Sequence, residues 1–208
     1  GEPVQAALPW ADMKDVVKEL ARLPPATARP PQRGPVPVEN EREAALAQLM
    51  KVEAECRAAA SEVELMSLIA NETRKLVRAR QVFVFRRRAD GFRILAVSSL
   101  AVVDRNTPLV QWLERTIERL GAESNLDKNR EFDLAAYHEP GRTSAERYPL
   151  PQALWVPLQD RMQDVFAGVL LTREIPWQKR DEIVADRLAG TYAHAWKALM
   201  PAARLPGG

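Results

Sequence analysis

Two Arg-x-x-Asp spacings stand out in the chain, Arg130 with Asp133 and Arg161 with Asp164. An arginine grips a phosphate or a guanine edge through paired N–H donors, and an aspartate accepts from guanine N–H groups. The same spacing also makes local salt bridges, above all at Arg161 and Asp164, which fall at a hairpin turn. A second set is aromatic. Phe83, Phe85, Trp112 and Trp155 are able to line an apolar pocket or to fill a core, and composition alone does not separate the two. Ser98, Ser99, Asp104, Arg105, Asn106 and Arg130 are polar anchors for such a pocket. A third set is basic: Arg86, Arg87 and Arg88, beside Arg78, Arg80 and Arg93. This is either a solvated hairpin end or a patch for an anionic membrane, where each basic group is worth about 1 kcal/mol.

Other chemistries find little material. Cys56 is the only cysteine, which excludes an intrachain disulfide and a multi-cysteine zinc site. A lone helix cysteine usually serves packing. The two histidines, His138 and His194, stand in no Ser-His-Asp set and no His-Glu metal spacing. His194 reads as a packed or capping residue of the last helix. No catalytic residue, metal ligand or cofactor is expected. The 30 Lys plus Arg against 28 Asp plus Glu leave a net charge of +2, too balanced to argue for nucleic acid. No run reaches the ~20 apolar residues that span a bilayer. The opening residues lack a charged stretch followed by an apolar one, so no signal peptide is expected here.

The elements that must position these residues centre on Gln152–Glu174. Two apolar runs joined by a short polar loop predict a β-hairpin. Leu154, Val156 and Leu158 alternate with Trp155 and Pro157; Val165, Ala167, Val169 and Leu171 alternate with Phe166, Gly168 and Leu170. Both faces are apolar, so the hairpin needs cover on both sides. Gln81–Phe85 and Phe92–Ser99 flank an Asp-Gly turn and form a second hairpin. Ala101–Val103 is a candidate third strand. Thr107 and Pro108 open a helix that Gly121 ends, with Leu109, Val110, Leu113, Ile117 and Leu120 as its apolar stripe. The long polar stretch Ala122–Pro151 reads as a functional or partly disordered loop with a short helix at Glu131–Tyr137.

Helices surround this centre. Glu39–Arg80 lacks proline and glycine and is helical throughout, with a bend at Arg57–Ser61. Its length exceeds what the sheet needs, which suits either a dimer contact or a solvated extension. Gln178–Leu199 closes the domain, with Ile183, Val184, Leu188, Tyr192, Trp196 and Leu199 on one side. The pattern divides the chain into a helical arm (1–25), a proline-rich linker (26–40), a domain (41–200) and a tail (201–208). At 208 residues this is one domain with an appendage.

The order of elements resembles the GAF domain, a cousin of the PAS fold. "WVPL…FAGVLLT" and "VRARQVFVF" carry the likeness, which covers about Ala44–Leu199. It implies an α+β fold, a central antiparallel sheet flanked by helices on both faces. It also implies a small-ligand site between the sheet and the helix-plus-loop side. The Arg-x-x-Asp spacing resembles that of cyclic-dinucleotide receptors. "LIANETRKLVRARQVFVF", "VSSLAVVDRNTPLVQWLE" and "LAGTYAHAWKAL" resemble a GAF-like region ahead of the membrane segment in bacterial membrane-fusion (HlyD-type) adaptor proteins. That implies a cytoplasmic sensory or interaction domain, tethered at the inner membrane in secretion or efflux. A homodimer and a protein partner at a membrane complex are expected. The alternative is a small-molecule receptor of cyclic-dinucleotide type.

Overall fold

The computed structural model describes residues 38–140 and 148–201. The expected arm, most of the linker and most of the tail lie outside the described residues. The chain divides into two units, Gly1–Ala47 and Gln48–Gly208. Of the first, residues 38–47 are described, and they are helical. Everything below concerns the second unit and the helix that leads into it.

The elements in order are α1 (Val38–Ala58), α2 (Glu62–Leu76), β1 (Gln81–Arg88), β2 (Gly91–Val97), α3 (Pro108–Glu123), β3 (Arg130–Asp133), a 3-10 turn (Leu134–Tyr137), β4 (Gln152–Gln159), β5 (Val165–Arg173) and α4 (Lys179–Leu199). The five strands form one sheet of order β2-β1-β5-β4-β3, with every neighbouring pair antiparallel. This is the α+β architecture expected from the sequence.

Local chemistry explains the breaks. The long helical run splits where expected, at Ala59–Ser61. Ser61 Oγ accepts from the Glu64 N–H at 3.2 Å, and Glu64 reaches back to the Ala60 N–H at 3.0 Å. This reciprocal cap starts α2 afresh. α2 stops at Leu76, short of the expected Arg80, because Arg78 takes a left-handed φ of 51°. α3 runs through Gly121 to Glu123. Thr107 precedes it as expected, but its hydroxyl donates to the Asp104 carbonyl at 2.8 Å rather than capping the helix.

The sheet is covered on both sides. On one, Val82, Val84, Leu154, Val156, Leu158, Val169 and Leu171 join buried residues of α1, α2 and α4 in a single core. On the other, Phe83, Phe85, Trp155 and Leu170 are buried on the α3 side. The alternation expected of the central hairpin holds with one exception. Phe166 turns to the α4 side, where its ring meets Trp196 edge-on at 5.6 Å. A register shift between Leu158 and Gln159 pairs Gln159 with Val165 and leaves Phe166 as the extra residue.

Three further expectations are corrected. Ala101–Val103 is not a strand; it follows Ser99, whose φ is 65°, and Val102 is exposed. The missing strand is Arg130–Asp133, paired with β4 at the sheet edge. Only Leu134–Tyr137 of the expected Glu131–Tyr137 helix is helical, as a 3-10 turn held by Asp133, whose carboxylate accepts from the Ala135 N–H at 2.8 Å. Ile183 faces solvent rather than the core.

Two buried charges tie the helices to the sheet. Arg173, 4% exposed at the end of β5, donates to the carbonyls of Val77 (3.0 Å), Ile175 (3.0 Å) and Pro176 (2.7 Å) and pairs with Asp181. Its guanidinium also lies 4.0 Å from the centre of the Trp177 ring. One side chain thus joins the end of α2, the end of β5 and the start of α4. Glu53, buried in α1, accepts from Arg187 at 2.9 Å and Thr191 at 2.8 Å of α4. Breaking a buried pair strands the other charge. Arg173→Met is therefore expected to lower stability by about 3 kcal/mol in urea denaturation. Asp181→Asn in the same chain should add clearly less than it costs alone, because the two share one network.

Candidate functional site

The face between the sheet and α3 is where the sequence placed a pocket, and among the described residues the aromatics expected to line it are buried. Gly168 of β5 has no side chain, and the indole of Trp155 lies against its bare backbone. A Cβ on Gly168 would come within 2.1 Å of that ring. Phe85 and Phe92 meet Trp155 edge-on at 5.6 and 5.3 Å. Trp155 Nε1 donates to the Leu126 carbonyl at 3.0 Å. Trp112 of α3 is buried, donates to the Tyr137 carbonyl at 2.9 Å and packs edge-on with Tyr148 at 6.0 Å. Tyr148 in turn shares a 2.9 Å hydrogen bond with Thr172 of β5. Phe83, Phe85, Trp112 and Trp155 are core.

The polar anchors are engaged as well. Ser98 Oγ accepts from the Val82 N–H at 3.0 Å. Ser99 Oγ accepts from Arg74 at 2.6 Å, and the Ser99 N–H donates to Asn71 at 2.9 Å. Asp104 accepts from the Asn106 N–H at 2.9 Å. Arg105 donates to the Ile94 carbonyl and to Glu114, both at 2.7 Å, while Glu114 accepts from the Ile94 N–H at 3.0 Å. This pair clasps the outer edge of β2 and covers backbone groups that an open edge strand would offer to another chain. The segment after β3 is held down by Arg115, whose guanidinium grips Glu139 with two 2.8 Å bonds, and by Tyr137, which donates to Glu123 at 2.6 Å.

The Arg-x-x-Asp spacings do not become clamps. Arg130 and Asp133 occupy alternate faces of β3, since three residues of strand reverse the side. Arg130 is the cross-strand partner of Trp155, whereas Asp133 caps the 3-10 turn. Arg161 and Asp164 are exposed in the β4–β5 turn, and no ion pair joins them. That turn is built by Asp160, which accepts from the N–H groups of Met162 (2.8 Å) and Asp164 (3.0 Å). The basic run is likewise divided. Arg78 and Arg80 precede β1 and Arg86–Arg88 end it, so the strand residues Gln81–Phe85 lie between them and Arg80 stands about 20 Å from Arg86. Arg80, Arg86 and Arg93 pair with Glu174, Glu62 and Asp90.

What the sequence did not disclose is a groove between the β4–β5 hairpin and α4. Its volume is about 770 Å³, with Gln159, Arg161 and Gln163 on one wall and Gly190, His194 and Lys197 on the other. A smaller hollow of about 480 Å³ continues it toward Asp127, Lys128, Glu182 and Asp186. The one sequence signal is Gly190, the single glycine of α4. Lys197 lies 3.9 Å from Asp160 and over the Phe166 ring at 4.4 Å. Arg161 is the only site residue anticipated from sequence that lines this groove.

Near the acidic end, Glu131 faces Glu182. Desolvation first, then a hydrogen bond from Glu182 and its charge, raise the Glu131 carboxyl above its ordinary range. An acid with a raised folded pKa is disfavoured when ionised, so its cost is present above that pKa and disappears as pH falls through it. Glu131→Gln should therefore raise the urea midpoint at neutral pH and have no effect in acid well below the carboxylate range.

Cys56 is buried in α1; burial, then the charges of Glu55 and Glu72, push its thiol up to about 12. Such a thiol is protonated at any working pH. It should stay unreactive toward a disulfide reagent in the native protein and react fully in denaturant. No group of three or more His, Cys, Asp or Glu is placed to hold a metal ion among the described residues.

An antiparallel five-stranded sheet, with α3 and a long connection on one side and three helices on the other, is the class of small helix–sheet–helix domains. Within that class the chain has the GAF fold. It is similar to the GAF domain of an Acinetobacter phosphoenolpyruvate-protein phosphotransferase, at 15% identity and a TM-score of 0.55, covering 74% of this chain and 94% of that one. The corresponding domain from Coxiella burnetii matches at 14% identity and 0.56, covering 74% and 93%. The Stigmatella aurantiaca phytochrome photosensory core module matches at 14% and 0.53, over 80% of this chain and 38% of the phytochrome chain. No protein-family model and no curated protein matches the sequence.

The Trp155–Gly168 contact gives a direct test of the filled face. Gly168→Ala forces overpacking and is expected to cost about 1–3 kcal/mol in chemical denaturation. Trp155→Leu in the same chain should recover part of that loss, a non-additivity that a strain elsewhere would not produce.

Proposed function

We propose that this domain is a non-catalytic regulatory GAF module that acts through protein contacts, as a homodimer. The observation that carries the reading is the filled α3 face. Trp155 on Gly168, with Phe85, Phe92, Trp112 and Tyr148 around it, takes the volume a ligand would need. Its structural neighbours include the GAF domains of a phosphoenolpyruvate-protein phosphotransferase and of a putative sensor histidine kinase. By the likeness of 68–85, 97–114 and 188–199 to membrane-fusion adaptors, we place it on the cytoplasmic side of the inner membrane, serving a secretion or efflux protein. Among the described residues no helix is long and apolar enough to cross a membrane.

Sedimentation equilibrium tests the dimer; a strict monomer at high concentration would remove it. Fractionation of cells carrying the full-length protein tests the placement, with membrane-bound material expected and wholly cytosolic material counting against it.

A second reading, a receptor for an anionic small molecule of cyclic-dinucleotide type, is favoured by one observation. Arg161 lines an open groove and is bound to no carboxylate. Calorimetry with a panel of cyclic dinucleotides decides it. Binding that is lost in Arg161→Ala would establish the receptor, and the absence of heat with every nucleotide would dismiss it.

A further inference from the structure

Gly190 is unexplained by the isolated domain. It lies within α4, and a Cβ placed on it would meet nothing within 4 Å. Alanine is the better helix former at such a position, so nothing inside this chain asks for glycine. A glycine on an open helix face is what close approach by another backbone requires.

The charges beside it say which backbone. The groove is basic toward the end of α4, where Arg161, His194 and Lys197 stand with Asp160 as the counter-charge. It is acidic toward the start of α4, where Asp127, Glu182 and Asp186 stand with Lys128. Ile183, Asp186, Gly190, His194 and Lys197 are all exposed and recur at three- and four-residue steps, so they share one face. They are also symmetric about Gly190. Asp186 and His194 lie four residues to either side of it, and Ile183 and Lys197 seven.

A two-fold axis through Gly190, perpendicular to the helix, places Asp186 against the partner's His194. It places Ile183 against the aliphatic stem of the partner's Lys197, and lays the basic end of one groove over the acidic end of the other. We propose that α4 pairs antiparallel with α4 of a second copy of this chain and that the two helices cross at Gly190. The contact is isologous, as a closed dimer requires. Ala189 and Ala193 flank the crossing and keep it narrow. This rests on the homodimer reading above and identifies the surface that forms it.

Disulfide trapping tests the crossing. Gly190→Cys should give a covalent dimer on mild oxidation, since residues on a two-fold axis at a close crossing fall within bridging distance. Cys56 is buried and does not interfere. Val63→Cys, an exposed position on α2, should not cross-link. In sedimentation, Gly190→Trp should shift the chain to monomer. Asp186→Lys should weaken the dimer at least about tenfold, and His194→Glu in the same chain should restore it. A dimer that persists in Gly190→Trp and fails to cross-link through Gly190→Cys overturns this surface and leaves the homodimer standing. A monomeric wild-type chain overturns both.

Discussion

The contact between the Trp155 indole and the bare backbone of Gly168 decides what one side of this domain can be. The sheet has two apolar faces, and each must be covered. On the α3 side the cover is a single helix and a long connection, which alone leave room above the central strands. Trp155 occupies that room because its neighbour on β5 contributes no side chain. Phe85, Phe92 and Tyr148 then close around and beyond it, and Trp112 reaches across to hold the Tyr137 carbonyl. Removing the glycine would not enlarge anything; it would push the plug out of its seat.

The opposite side is organised by charge as well as by apolar packing. Arg173 binds three carbonyls and one carboxylate, all at places where an element ends and its backbone groups lack partners. Glu53 ties two helices together by accepting from the side chains of Arg187 and Thr191. Desolvating such charges is costly, and they are tolerated because each is itself paired and hydrogen-bonded. The result is a fixed junction of α1, α2, α4 and the end of β5. Helices held this firmly to the sheet move with it.

The fold was legible because its largest signals are local. Period-two alternation identified β4 and β5, an Asp-Gly turn identified the β1–β2 hairpin, and the Ser61–Glu64 cap explains a break expected from weak amphipathicity. The failures share a different cause. β3 is a four-residue edge strand of mixed polarity, REFD, and becomes a strand only through pairing with β4. Phe166 changed face because of a bulge, and a bulge is a relation between two strands. The Arg-x-x-Asp pairs failed for a geometric reason. The same spacing reverses sides in β3 and splays apart in a turn, so sequence distance did not translate into a shared site. The groove was invisible because it is made by the hairpin and α4 together, and its most informative residue, Gly190, has no side chain to read.

The two sides together constrain how the domain can respond to anything. Phe85, Trp112, Tyr148 and Trp155 are buried, and close-packed interiors resist continuous deformation. The opposite side keeps an open groove, exposed charges that lie in opposition along one helix, and a glycine that its own fold leaves uncovered. A coupling between sites needs differential contacts in two states. On this protein α4 and the β4–β5 turn carry exposed groups able to make new contacts, whereas Phe85, Trp112 and Trp155 are buried. Input to the α3 face would first have to lift an indole from its seat, whereas input to α4 only has to add a surface to one already exposed. The second route is the less costly, and that difference in cost is the physical basis on which we propose assembly through α4.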